Sequence, residues 1–177
     1  MRRLTDLARL RTFMARLGRA TDAPTTVYLT GGATALLHGF RDSTIDIDIK
    51  IDPDRGDLLR AIPAIKEELE VNVELASPDL FIPVSQGWEG RSPVIDRHGP
   101  VTFRHFDLVA QALAKIERGH ERDLADVHDL LEQGLVTRED LRQEFERIEP
   151  ELYRFPAVDP TSLRAGVGRV VGDLATE

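Results

Sequence analysis

Cysteine is absent from the 177 residues. That excludes disulfides, Cys-ligated zinc, iron–sulfur clusters and thiol nucleophiles, and it points to a reducing compartment, the cytoplasm by default. Long hydrophobic runs are missing as well. No stretch approaches the roughly 18 apolar residues of a membrane span, so no membrane role is expected. An excess of positive charge is also lacking: 23 Lys and Arg stand against 31 Asp and Glu, a net charge of −8. A protein that binds polyanions over its whole surface is therefore not expected. The five histidines show no HxxH or HExxH spacing, so none marks a zinc site. Ser85, Ser92 and Ser162 lack a nucleophile-elbow context, and a hydrolase triad is not supported.

What is present is the composition of a globular protein, 41% hydrophobic and 31% charged, of a length for one domain or one core with an appendage. The chain opens on Leu4, Leu7, Leu10, Phe13, Met14 and Leu17, spaced as one helix face and without the continuous apolar centre of a signal peptide. Six arginines (Arg2, Arg3, Arg9, Arg11, Arg16, Arg19) crowd the same segment. They read as a solvated face with snorkelling side chains or as a local RNA contact.

Thr25–Thr30 is β-branched and aromatic and stops at Gly31-Gly32, a strand feeding a glycine turn; Ala33–Leu37 follows as a short helix closed by Gly39. Ser43–Ile51 alternates without a break, Ile45, Ile47, Ile49 and Ile51 on one face, Thr44, Asp46, Asp48 and Lys50 on the other. A helix is expected over Asp54–Glu70, kinked or split by Pro63. Val71–Ala76 reads as a strand, Ser77–Ser85 as a loop with a possible helical turn, and Val94–Asp96 with Val101–Phe106 as a hairpin. From Asp107 the period becomes helical: Leu108–Arg118, Asp123–Gln133, Arg138–Ile148 and Ser162–Leu174. The reading is an α/β region, residues 1–106, followed by a helical region, residues 107–177.

The chemistry concentrates at Asp46 and Asp48. Two apart on a strand, their side chains leave one sheet face about 7 Å apart and repel one another. A divalent cation relieves that repulsion, and hard oxygen ligands select magnesium or manganese. The competing reading is an edge strand with a charged outer face. Fourteen residues before Asp46 stands Gly32, in a turn where backbone can approach a ligand closely and free amides can meet phosphate oxygens.

The run Thr30–Asp48 (TGGATALLHGFRDSTIDID) resembles the signature of the nucleotidyltransferase superfamily related to DNA polymerase β: Gly-Gly, a helix, then Asp-hydrophobic-Asp. The lead-in Arg41-x-Ser43-Thr44-x-Asp46 is similar to the branch of AbiEii-type and MenT-type toxins. Lys115-Ile116-Glu117-Arg118, then Arg122-Asp123-Leu124-Ala125-Asp126-Val127, looks like that branch's second motif. The resemblance spans about residues 25–135. It implies a nucleotidyltransferase fold, an α+β architecture of a mixed twisted sheet with a C-terminal helical bundle.

It also implies roles. Asp46 and Asp48 hold Mg²⁺ or Mn²⁺, Glu74, with Asp79 as substitute, is the third carboxylate that helps ligate a second metal and accepts the proton, and Gly31 and Gly32 cradle the β- and γ-phosphates. Thr30 or Ser43 adds a hydroxyl, Arg41 orients an aspartate or touches a phosphate, and Lys115 gives the triphosphate a positive charge. Arg118 and Asp123 of the second motif are implied to help bind the substrate. Read as helix residues, Lys115, Arg118, Arg122, Asp123 and Asp126 are also explained by salt bridges between the two helices. The implied reaction is attack of an acceptor hydroxyl on the α-phosphate of an NTP. The toxin branch implies the 3′ end of a tRNA as acceptor and a cognate antitoxin as partner. A small molecule such as an aminoglycoside, or a protein hydroxyl, would also serve as acceptor, and a module that binds without turnover is the rival from another class.

Overall fold

A computed structural model describes residues 4–172; Arg2, Arg3 and Leu174 lie outside them. The elements run α1 (Leu7–Gly18), β1 (Thr25–Thr30), α2 (Gly31–Leu37), β2 (Asp46–Asp52), α3 (Gly56–Leu69), β3 (Asn72–Leu75), α4 (Trp88–Arg91), β4 (Val94–His98), β5 (Val101–His105), α5 (Leu108–Arg118), α6 (Glu121–Glu132), α7 (Arg138–Ile148) and α8 (Pro160–Val171). Two 3₁₀ turns, Pro78–Leu80 and Glu149–Arg154, complete them. The architecture is the mixed α+β one that the sequence suggests.

The chain forms two compact units. The first comprises the residues up to Ser77 with Ser92–Phe106; the second, Pro78–Arg91 and the residues from Asp107 onward. Residues 78–91, counted by sequence with the first region, thus belong with the helices. Side chains explain it: Arg91 makes two bonds to Asp107 Oδ2, at 2.9 and 2.6 Å, and Ser85 N donates to Glu144 Oε1 at 3.2 Å.

In the first unit a five-stranded sheet has the order β3-β2-β1-β5-β4, with β2 antiparallel to β1 and parallel to β3, and β1 parallel to β5. Ile47, Ile49 and Ile51 turn to a core that includes Leu10, Phe13, Met14 and Leu17 of α1, Ala33 and Leu36 of α2, and Leu58, Ile62 and Ile65 of α3. One sheet face is thus covered by these helices, and alternation sends Asp46 and Asp48 to the other. Asp6 caps α1 by accepting from Arg9 N at 2.9 Å.

Two expectations are corrected. The strand starts at Asp46 rather than Ser43, because Thr44 pairs with Thr5 instead (N–H···O 2.8 and 2.9 Å), and Ile45 is left exposed, outside the isoleucine stripe. Of the two alternatives for Pro63 the split is excluded, since α3 is one helical run with Pro63 on its exposed side. There, water can satisfy the Leu59 carbonyl that loses its N–H partner.

In the second unit α5 to α8 gather Leu113, Ile116, Val127, Leu130, Leu141, Phe145, Leu163 and Val167, all buried. Thr137 and Asp140 form the reciprocal capping box of α7, and Asp159 caps α8 with Pro160 at its first position. No described helix is long and apolar enough to cross a membrane.

Candidate active site

Parallel pairing of β2 with β3 sets Asp46 opposite Asn72 and Asp48 opposite Glu74, while antiparallel pairing with β1 sets Asp48 opposite Thr30. Residues paired this way project from the same face and are near neighbours. The result is a four-cornered patch, Asp46, Asp48, Glu74 and Asn72, with carboxylates at three corners. Asp46 and Asp48 are half-buried, and Glu74 is exposed.

The glycine turn lies against this patch. Gly31 has φ +61°, a left-handed conformation that glycine adopts without a steric penalty, and a Cβ there would come within 2.7 Å of Asp48 Oδ2. At Gly32 a Cβ would strike the Thr44 side chain, 2.8 Å from its Cβ, and would lie 3.6 Å from an Arg41 guanidinium nitrogen. Thr44 Oγ1 in turn donates to Asp46 O at 3.0 Å. Both glycines are therefore required by close approach, one to the carboxylate and one to the segment leading into β2. Thr30, Gly31, Gly32, Arg41, Asp46, Asp48 and Glu74 are all in the sheet unit, with Ser43 in the loop just before β2.

Behind the turn, α2 is tied down by buried groups. Thr34 Oγ1 donates to Leu29 O at 3.2 Å and lies 3.0 Å from His105 Nδ1. With its proton committed to the carbonyl, the hydroxyl accepts from a protonated Nδ1. His105 stacks on His38, ring centroids 4.5 Å apart. Burial, then the neighbouring His38, push the His105 pKa down to about 3, and burial lowers that of His38 also.

Lys115, Arg118 and Asp123 lie in the helical unit. There the Lys115 ammonium, 4% exposed, donates to Asp126 Oδ2 at 2.6 Å and to Asp123 Oδ1 at 3.4 Å, and Arg118 donates to Asp123 Oδ1 at 2.8 Å. The second motif is thus a buried ion-pair cluster that joins α5 to α6. Asp79 is in the 3₁₀ turn of the same unit, so of the two acidic residues considered for the third position it is Glu74 that shares the sheet face.

The donor set of the patch, hard carboxylate oxygens beside a turn with no room for a side chain, fits a magnesium-type cation. Among the described residues no three Asp, Glu or His side chains converge closely enough to cage a cation by themselves. Such an ion typically takes one or two carboxylates and fills its shell with water and substrate phosphate. The residue that sequence reading passed over is Asn72, whose amide nitrogen donates to Asp46 Oδ1 at 2.5 Å and to Glu74 Oε1 at 3.2 Å. Its signal was present in the alternation of Val71-Asn72-Val73-Glu74, which sets Asn72 and Glu74 on one face.

A family model described as a nucleotidyltransferase of unknown function (DUF6036) matches residues 5–151, which include the glycine turn, the carboxylate patch and the Lys115 cluster. No curated protein and no solved structure matches the chain.

Proposed function

The chain belongs to this nucleotidyltransferase family, and we propose that it transfers the nucleoside monophosphate of an NTP to an acceptor hydroxyl in a magnesium- or manganese-dependent reaction that releases pyrophosphate. The observation that carries this reading is Gly31 in a left-handed turn pressed on the Asp48 carboxylate, with Asp46 and Glu74 on the same face. Asp46 and Asp48 would hold the ion. When bound, it would supply charge neutralisation at the phosphates and a lowered pKa at the attacking hydroxyl. Gly31 and Gly32, lacking side chains, let the phosphates approach the backbone, and Arg41, next to Gly32, offers a guanidinium for a phosphate oxygen. The exposed Glu74 carboxylate would take the proton from the acceptor oxygen.

For the acceptor we favour the 3′ end of a tRNA, with growth arrest as the consequence and an antitoxin as protein partner. Support comes from the toxin-like lead-in to β2 and from α1 with its C-cap, where Arg11, Arg16 and Arg19 are exposed. A second reading, a small cationic acceptor, is favoured by the net charge of −8. The test incubates the protein with each labelled NTP, Mg²⁺ and total RNA, beside Asp48→Ala. Label entering RNA in the wild type and not in the variant supports the first reading. Pyrophosphate released only with small acceptors supports the second, and no metal-dependent product at all would favour a binding module over an enzyme.

A further inference from the structure

Three carboxylates on one small area of sheet repel one another, yet between two of them stands a neutral side chain. At neutral pH a carboxylate only accepts hydrogen bonds, so the group facing both Asp46 and Glu74 must be a donor. The Asn72 amide nitrogen carries two protons, one for each carboxylate, and it lies 2.5 Å from Asp46 Oδ1 and 3.2 Å from Glu74 Oε1. Position and chemistry agree, since Asn72 is the register partner of Asp46 across the strand pair and stands two residues before Glu74 on the same side of β3. A carboxylate fixed through one oxygen presents the other in a set direction, and loss of a group that orients a ligand in this way typically costs about ten- to a hundredfold in metal affinity.

We propose that Asn72 is the positioning residue of the carboxylate site: its amide bridges Asp46 and Glu74, fixes the Asp46 carboxylate in the arrangement that receives a divalent cation beside Asp48, and so sets the affinity for that cation. This rests on the reading of Asp46 and Asp48 as the pair that holds the ion. In this role Asn72 acts through the two carboxylates. A β3 residue with the same volume and no donor would leave the sheet intact and let the two carboxylates turn away from each other.

The experiment is calorimetric titration of the full chain with Mn²⁺ alone, and again with an NTP present, for wild type, Asn72→Leu, Asn72→Thr and Asp48→Ala. Thermal melts of the metal-free proteins establish that each is folded. Asn72→Leu should bind Mn²⁺ about ten- to a hundredfold more weakly than wild type, with unchanged stoichiometry once saturated. Asn72→Thr, a good strand former that keeps one donor, should fall between the two. A purely structural role would lower the melting temperature and leave the affinity of the folded protein alone. Affinities for both Asn72 variants within twofold of wild type, with Asp48→Ala still defective, would overturn the assignment. A wild type that takes up no Mn²⁺ even with NTP would instead defeat the nucleotidyl-transfer reading, an outcome readily told from the first.

Discussion

His105 shows how much one buried residue can contribute to the pH response of the fold. It is 6% exposed, its Nδ1 is bound to Thr34, and its ring lies on His38. Held neutral, with its pKa depressed from 6.5 to about 3, it binds no proton in the folded state where the unfolded chain does. Its contribution to stability is therefore complete above pH 6.5 and is lost progressively as the pH falls from there toward 3. Between pH 7 and pH 5 the loss is about 2 kcal/mol. Urea unfolding at the two pH values should show that fall in the wild type, and His105→Asn, which keeps the donor to Thr34 without the titration, should show a clearly smaller one. Asp46 and Asp48 were legible because alternation alone sets them on one face. Asn72 was legible only as a residue on the same strand face as Glu74; that it stands opposite Asp46 is revealed by the pairing of β2 with β3.

Among the elements, the segment from Pro78 to Arg91 departs furthest from the sequence reading. Its local signals, two prolines and a short helical turn, say loop and nothing of which unit the loop joins. That is decided by long-range charge. The Asp107 carboxylate is buried, and burial raises its pKa while the Arg91 guanidinium beside it acts in the opposite sense. Arg91 also lies 3.5 Å from Glu144, itself buried. Arg91→Met would leave two carboxylates in the interior with one compensating arginine fewer, and the expected destabilisation is about 3 kcal/mol. Adding Asp107→Asn should recover part of it, because the remaining group is then polar rather than charged; chemical denaturation of both variants measures this. By contrast α7 was read to the residue, since Thr137 and Asp140 form a cap whose partners lie within one turn of each other. The strand β2 was read three residues too early, because the bridge between Thr44 and Thr5 spans almost forty residues of chain.

For the molecule as a whole the decisive property is how charge is distributed. The total is −8, yet Arg11, Arg16 and Arg19 are exposed on or at the end of α1, where Arg16 pairs with Glu68 at 2.6 Å. If RNA is the acceptor, Arg11→Ala and Arg19→Ala should each weaken RNA binding and reduce the slope of log affinity against log salt by about one. A small-molecule acceptor predicts no change in either. Filter binding across a salt series separates the two. The sequence by itself determined the periods: which stretches are strands and helices, which strand residues share a face, and where a glycine pair precedes two aspartates. Those properties are local, fixed by backbone geometry and by side-chain spacing along a few residues. Only the tertiary structure decided that Glu74 stands beside Asp48, that Asn72 bridges Asp46 and Glu74, and that Gly31 touches the carboxylate. These neighbours come from register between strands distant in the chain, and register is set by how whole faces bury against α1, α2 and α3, which no single segment encodes.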